Sequence, residues 1–300
     1  MKENEYILLP RETRTKEDST NVVVFLFSLA DYGFYESIHH EMEQVLQQKG
    51  YSMLLCALEP DDEQSKKHIQ HIVDLKPEGI IYALRDFKEE YVDIIVKAKI
   101  PFVLIRKYIH AKEIFDCVYV NFAEGAYKMT RHMLEHNYKK ISLFVEKASF
   151  QFVHDFCDGW KTAYREKDIP YDENWIVHTR NTTEGGYYRA REILESEEIP
   201  DAFFCASSEM ALGVLYAARE LNISVPDKLA VVGFTDSEIA ELSFPKLTTV
   251  DQSLGQVGVL ALRLLFDQIE QNSTSLPFPQ EIVIQPKLRI RQSCGCPLAL

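Results

Sequence analysis

The stretch that decides the fold is residues 225–252, which read VPDKLAVVGFTDSEIAELSFPKLTTVDQ. Within it, residues 229–234 form a short apolar run followed by polar residues, a pattern typical of a buried strand in a parallel sheet. Thr235, Asp236 and Ser237 then stand at the carboxyl end of that strand, where open α/β sheets usually bind their ligands. The same three residues are equally compatible with an ordinary polar loop. The stretch therefore predicts an α/β fold and a candidate site, and it leaves the use of that site open.

Outward from this strand, apolar runs of strand length alternate with segments of helical periodicity. In the first half, extended runs at residues 21–28, 51–57, 79–84, 101–105 and 117–121 alternate with helical patterns at residues 34–48, 63–75 and 89–98. The alternation restarts after residue 121 and continues to a final apolar strand at residues 281–285. Such alternation predicts parallel sheets with helices on both faces. Two consecutive sets predict two doubly wound lobes, with a cleft between them as the natural place for a small ligand.

Composition excludes several classes of function. Of the 300 residues, 46% are hydrophobic and 26% are charged, which is typical of a globular chain with a sizeable core. The net charge of −13 repels phosphate, so the chain by itself is expected to be a poor nucleic-acid binder. No apolar run approaches the ~20 residues of a membrane span, and the N-terminus shows no signal-peptide pattern. We therefore expect a cytoplasmic protein without a membrane partner.

The six cysteines fit the same compartment. Four of them stand singly in apolar or strand-like contexts, as reduced, buried thiols do: Cys56, Cys117, Cys157 and Cys205. Cys294 and Cys296 form a CxC motif, for which the sequence shows neither a paired CxxC nor a nearby histidine that would complete a tetrahedral metal site. An exposed or redox-labile pair is the favoured interpretation, and no metal or cofactor is expected.

Motifs of the common enzyme classes are absent from the sequence. It contains no GxSxG, P-loop, GxGxxG or HExxH pattern. His68 and His71 have a spacing that can bind metal, but they lie on a predicted helix rich in charge and have no third ligand. We therefore expect no catalytic residues and no enzyme activity.

Residues 225–252 closely resemble the signature near the end of the ligand-sensing domain in the LacI/GalR family, VP.D..VVGFDD...A....P.LTTV.Q. The resemblance extends from about residue 14 to residue 292; for example, HMLEHNYKKISLFV is similar to the family's HLIE.GHR.I..I. It implies the periplasmic-binding-protein-like type I fold, in which two parallel-sheet lobes are joined by three crossovers. The implied boundaries are a linker at residues 1–20, an N-terminal lobe at 21–121 plus 252–278, and a C-terminal lobe at 122–251 plus 279–297.

The function that the resemblance implies is the effector-binding and dimerisation core of a DNA-binding transcriptional regulator, with a small-molecule effector and a homodimeric assembly. Apolar residues on a predicted helix, Leu212, Val214 and Leu215, are candidates for the dimer face, although burial in the core explains them equally well. Family members begin with a basic helix-turn-helix head, which has no counterpart before Asn21. DNA binding is therefore expected only through a head outside these 300 residues. The alternative with the same fold is a solute-binding protein of a transport system, which would need a secretion signal.

At the positions where family members contact their effectors, this chain has an unusual set of residues. Arg106 stands where sugar-binding members usually have aspartate, Phe156 where they have arginine, and Thr235 replaces the first aspartate of the FDD motif. These differences remove groups that hold sugar hydroxyls, and they favour an anionic effector anchored by Arg85 or Arg106. The candidate ligand-binding residues are Phe34, Tyr35, Arg85, Arg106, Phe150, Phe156, Asn181, Ser207, Thr235, Asp236 and Gln252.

Several of these residues also have structural interpretations that the sequence leaves open. Phe34 and Tyr35 can stack on a ligand or fasten the first helix. Phe150, Phe152 and Phe156 can wall a pocket or pack in the interior. A third alternative is a vestigial pocket, with the signal arriving from a protein partner.

Overall fold

The computed structural model describes residues 20–29, 32–58, 62–108, 115–146, 150–270 and 278–296. The predicted linker at residues 1–20 therefore lies outside the described residues, except for Thr20. The chain divides into two compact units, unit 1 with Met1–Tyr119 and Ser253–Ile284, and unit 2 with Val120–Gln252 and Gln285–Leu300. It passes from one unit to the other three times, as the resemblance implies.

Strands and helices alternate along the described chain. The strands are β1 (Val22–Ser28), β2 (Ser52–Leu58), β3 (Gly79–Ala83), β4 (Phe102–Ile105), β5 (Cys117–Val120), β6 (Ile141–Glu146), β7 (Ile176–Thr179), β8 (Ala202–Cys205), β9 (Ala230–Val232), β10 (Thr249–Asp251), β11 (Glu281–Ile284) and β12 (Lys287–Arg289). The helices are α1 (Tyr32–Gln48), α2 (Asp62–Asp74), α3 (Glu89–Lys97), α4 (Phe122–Glu135), α5 (Gln151–Glu166), α6 (Thr183–Leu194), α7 (Ser208–Glu220), α8 (Glu238–Leu242) and α9 (Leu254–Glu270). The predicted α/β class is confirmed.

Unit 1 has a six-stranded sheet in the order β11-β5-β4-β3-β1-β2. β1 pairs in parallel with β2 and β3, and β4 and β5 continue the parallel ladder. All five residues of the central strand β3 are buried, which explains why it is apolar along its whole length. Parallel pairing brings the carboxyl ends of the strands to one edge, and this edge carries the loops that follow β1, β3 and β4.

Unit 2 has a four-stranded parallel sheet in the order β7-β6-β8-β9, and an antiparallel pair of β10 with β12. Its helices pack closely, α4 against α5 and α6 against α7. Gly213 of α7 permits the second pairing, because a Cβ there would lie 2.1 Å from Thr183 O of α6. The core is rich in aromatic side chains, among them Trp160, Phe204 and Phe234.

The C-terminal region differs from the sequence prediction. Residues 279–284 are predicted in the C-terminal lobe, whereas β11 joins the unit 1 sheet beside β5. The reason is local: Cys117 N donates to Gln280 O, and Gln280 N donates to Asp116 Oδ1 at 2.6 Å. The third passage of the chain therefore lies at Ile284–Gln285, and smaller differences place residues 120–121 and Gln252 in unit 2. The short strand β12 is not predicted, since three residues show no periodicity.

Two further expectations concern surfaces. Val214 and Leu215 are buried in the core of unit 2, so their assignment to a dimer face is wrong, and packing within the unit explains them; Leu212 is half-buried. Among the described residues, no helix has the length and apolarity that crossing a membrane requires.

Candidate functional site

The carboxyl edge of the unit 1 sheet carries two half-buried arginines, Arg106 directly after β4 and Arg85 shortly after β3. Arg106 Nε donates a hydrogen bond to the phenolic oxygen of Tyr35 at 3.1 Å. The guanidinium carbon of Arg106 lies 5.9 Å from the centre of the same ring. Tyr35 thereby orients the charged end of Arg106 at this edge.

Tyr35 belongs to the interior of unit 1, with 1% of its surface exposed. Its ring packs edge-on against Phe25, with the ring centres 5.6 Å apart, and is tilted against Phe27 at 6.0 Å. The ring therefore fastens α1 to β1, which favours the structural interpretation of Tyr35 over stacking on a ligand. The backbone of Phe34 is part of α1, but its side chain lies outside the described residues.

The backbone at two candidate residues is strained. Arg106 has φ 144° and Thr235, which closely follows β9, has φ 103°, and residues other than glycine rarely adopt such values. Strain of this kind costs about 1–3 kcal/mol per residue and is concentrated at ligand-binding sites, where the surrounding structure enforces it. Each of the two residues lies at the carboxyl edge of its own sheet, a coincidence that supports both as site residues.

Three aromatic rings that pack against one another support the loop after β3, and the sequence alone does not single them out: Tyr82, Phe87 and Tyr108. The Tyr108 hydroxyl donates to Leu84 O, and the Tyr82 hydroxyl donates to Asp86 O at 3.3 Å. Burial raises the phenol pKa of Tyr82 and of Tyr108 above its ordinary value, so both hydroxyls stay protonated and act as donors. These bonds hold the backbone on both sides of Arg85.

The carboxyl edge of the unit 2 sheet gathers small polar side chains. Ser207 Oγ caps α7 by accepting a hydrogen bond from Met210 N at 3.2 Å. Ser208 Oγ donates to Thr235 O at 2.6 Å, which holds the strained residue in place. Ser207 therefore has a structural role that accounts for its hydroxyl, and ligand contact by Ser207 stays a prediction.

Gln252, immediately after β10, has an incompletely satisfied side chain. Its Nε2 donates to Thr235 Oγ1 at 2.9 Å. The residue is 2% exposed, and Oε1 finds no hydrogen-bond partner among the residues that the structure describes. Since a buried acceptor without a partner costs about 1–3 kcal/mol, a donor from outside would be favourable at this atom.

Asp236 is held by other residues of unit 2. Its Oδ1 accepts a hydrogen bond from Thr249 Oγ1 at 2.9 Å and lies 2.7 Å from Arg291 Nη2, and its Oδ2 lies 3.6 Å from Arg289 Nε. These contacts give Asp236 a structural role, and ligand contact by Asp236 stays a prediction. Its carboxylate compensates the charge of Arg291, whose side chain is only 12% exposed.

The phenylalanines after β6 favour the packing alternative. Phe156 is 2% exposed and packs against Phe234, with the ring centres 4.5 Å apart. Ligand contact by Phe156 stays a prediction. Phe150 is half-buried and stacks on Phe152 at 5.6 Å. Asn181 is exposed in the loop between β7 and α6. Ligand contact by Phe150, by Asn181 and by the two arginines of unit 1 stays a prediction.

A group of metal-ligating side chains lies elsewhere in unit 2, where the fold brings the CxC motif to α4. Cys296 Sγ lies 3.1 Å from His132 Nε2, although the two residues are 164 positions apart. Both Cys294 and Cys296 are buried, so the expectation of an exposed pair is wrong. The expectation that no histidine stands near the motif is wrong as well, because His136 completes the group.

Comparison with known proteins agrees with this architecture. Residues 130–294, more than half of the chain, match the family of periplasmic binding protein-like domains, and the chain belongs to that family. The HTH-type transcriptional repressor PurR of Actinobacillus pleuropneumoniae (serotype 3, strain JL03) is 26% identical over 278 residues, which are 93% of this chain and 82% of the relative. Within the family, the chain is the ligand-binding core of a LacI/GalR-type transcriptional regulator.

Solved structures show the same fold. A complex of the transcriptional regulator CelR with cellobiose superposes with a TM-score of 0.82 at 23% identity, covering 92% of this chain and 85% of that chain. The transcription regulator CcpA of Lactococcus lactis gives a TM-score of 0.79 at 22% identity, covering 91% and 98%.

Proposed function

We propose that this core senses a small anionic metabolite, which it binds at the carboxyl ends of its parallel strands. Arg106 is the anion anchor, Tyr35 orients it, and Arg85 on the neighbouring strand adds positive charge to the same edge. A planar guanidinium donates two parallel hydrogen bonds to a carboxylate or a phosphate, which a neutral hydroxyl cannot match.

The observation that carries the proposal is the placement of charge. Arg106 is held at the sheet edge by Tyr35, whereas Asp236, the acidic member of the predicted set, is paired with Arg291. Neutral sugars are usually held by carboxylates that accept hydrogen bonds from several hydroxyls, and Asp236 is already committed to that internal pair. The CelR structure contains cellobiose, so a neutral sugar is the competing ligand that the experiment has to include.

The regulatory step is a shift between conformations of the core. A ligand that binds one conformation more tightly increases its population by the difference in affinity. The relatives are HTH-type repressors, which supports DNA binding by a head domain as the regulated activity. The net charge of −13 keeps the core itself off DNA. In this proposal the protein is a homodimer in the cytoplasm, so it carries two DNA-binding head domains. It catalyses no reaction.

A solute-binding protein of a transport system would have the same fold. The similarity to transcriptional repressors over 93% of the chain supports the regulator instead. The test between these alternatives is whether effector binding to the complete protein changes its affinity for DNA.

The experiment on the core is a calorimetric and thermal-shift comparison of matched metabolite pairs, each a charged compound and its uncharged counterpart, with cellobiose included. Only the charged member is expected to bind. Each charge-assisted hydrogen bond contributes about 1.5–3 kcal/mol, so Arg106→Ala, which removes at least one of them, should weaken binding by roughly 10- to 150-fold or more. Tyr35→Phe should weaken it less, because the guanidinium remains but is no longer oriented.

The matched control is Arg219→Ala, which removes an exposed arginine from α7 in unit 2 and should leave the affinity unchanged. Tight binding of a neutral sugar that Arg106→Ala does not weaken would exclude the anion site. If no metabolite binds, the vestigial-pocket alternative is favoured, and the search turns to a protein partner.

A further inference from the structure

The group His132, His136 and Cys296 has the composition and spacing of a metal site. His132 lies in the last turn of α4, and His136 is the residue that ends the helix. One ligand atom from each of the three residues lies within 4.8 Å of the other two. Two nitrogens and one sulfur bonded at the usual zinc distances are about 3.3–3.6 Å apart in a tetrahedral site, so small side-chain rotations suffice to close the group on an ion.

A hydrogen bond to the backbone leaves one ring nitrogen of His136 available to a metal. His136 Nδ1 donates to His132 O at 2.8 Å, which leaves the lone pair on Nε2. Metal-binding histidines commonly show this arrangement, with one ring nitrogen on a backbone carbonyl and the other on the ion.

The turn of the CxC motif presents Cys296 to the helix. Gly295 has φ 68°, a conformation that suits glycine, and Tyr138 donates from its hydroxyl to Cys294 O at 2.8 Å. Cys294 Sγ accepts a hydrogen bond from Thr248 Oγ1 at 3.2 Å, which gives the first cysteine a structural partner. The second cysteine faces His132, and exposed His136 leaves a side of the group open to solvent.

We propose that His132, His136 and Cys296 bind one transition-metal ion of the zinc class. Two imidazoles and one thiolate suit Zn²⁺ and related ions, whereas Mg²⁺ and Ca²⁺ prefer oxygen ligands. On binding, the Cys296 thiol loses its proton to solvent and the thiolate sulfur bonds to the metal, with no transfer of electrons. Water occupies the fourth position. The ion fastens the chain after β12 to α4 and stabilises unit 2 by mass action.

The test uses the full 300-residue chain without an affinity tag, freed of metal by a chelator and kept reduced. Zinc is titrated against a chromogenic chelator, and Co²⁺ serves as a spectroscopic probe of thiolate bonding. We expect one equivalent of zinc, a thiolate-to-cobalt charge-transfer band, and a rise in Tm. Cys296→Ser and His136→Ala each remove a metal ligand. Each should lower the affinity for zinc at least as much as loss of a residue that hydrogen-bonds to a ligand, which is about 10- to 100-fold.

Matched controls are Cys157→Ser and His178→Ala, which remove a thiol and an exposed imidazole elsewhere in unit 2. Both should bind zinc as the parent chain does. Because His136 is exposed, His136→Ala retains the fold even if Cys296→Ser does not, and circular dichroism verifies this. Zinc affinity unchanged by His136→Ala, or a cobalt band that persists in Cys296→Ser, would overturn the proposal, as would a chain that binds no zinc.

Discussion

Asp236 Oδ1 lies 2.7 Å from Arg291 Nη2 in unit 2. Arg291 also forms an ion pair with Glu241 of α8 and donates to Leu247 O at 2.9 Å, so one guanidinium ties the segment after β12 to the segment around β10. Asp236 and Arg291 have side-chain exposures of 20% and 12%, too low for solvent to compensate either charge fully. The aspartate that the sequence motif suggests for effector binding therefore has an architectural role.

Asp236→Asn should lower the free energy of unfolding. The amide cannot neutralise Arg291, and a weakened bond to a half-buried charge costs about 1–3 kcal/mol. Urea unfolding measures the loss. Glu198→Gln, which breaks an ion pair with Lys140 at an 86% exposed side chain, is the control and should change stability by less than about 1 kcal/mol.

The role of the pair is separable from ligand binding. The double variant Asp236→Asn/Arg291→Met should lose less free energy of unfolding than the two single variants added together. The reason is that replacement of Arg291 removes the charge that Asp236→Asn leaves uncompensated. An Asp236→Asn variant of unchanged stability that has lost effector affinity would show instead that Asp236 contacts the effector.

The close packing of α6 against α7 predicts a large effect at Gly213. A Cβ there would lie 2.1 Å from Thr183 O and 2.5 Å from Tyr187 N, both backbone atoms that cannot move independently. Gly213→Ala should therefore destabilise unit 2 by about 2–3 kcal/mol through forced separation of the two helices. Gly233→Ala is the control, because its nearest neighbour would be an ordinary 3.5 Å away. Equal stability of the two variants would contradict this packing.

Thiol reactivity provides a pH-dependent test of burial. Burial raises the pKa of half-buried Cys157 to about 11, and the thiolate is the reactive form. At pH 8 the thiolate fraction is then roughly 200-fold below that of an ordinary cysteine, and it rises about tenfold per pH unit until the pH reaches the pKa. Alkylation of Cys157, followed by mass spectrometry from pH 7 to 10 with glutathione as the reference thiol, should show this slope. Labelling as fast as glutathione would mean that α5 opens locally.

A structural feature of this chain is predictable from its sequence to the extent that the interactions behind it are local. The strand and helix alternation is predictable because periodicity is local, as in the fully apolar β3. The sheet that β11 joins is not predictable, because an apolar run at residues 281–285 is compatible with pairing in either sheet. The partners of Asp236 and of Cys296 depend on contacts across the fold, the latter over 164 residues. The strained backbone at Arg106 cannot be predicted either, because the residue type does not reveal the φ angle that the fold imposes on it.

Strain and chemistry at Arg106 can be separated by two substitutions. Its φ of 144° lies where an alanine is strained and a glycine is not. Arg106→Gly should therefore be more stable than Arg106→Ala by about 1 kcal/mol or more, even though glycine increases the conformational freedom of the unfolded chain. Both variants lack the guanidinium, so both should lose anion affinity to the same extent. Urea unfolding measures the stabilities, and calorimetry with the best charged metabolite measures the affinities. If Arg106→Ala is the more stable variant, the backbone at this position is not strained in solution, and the support that strain lends to the effector site is withdrawn.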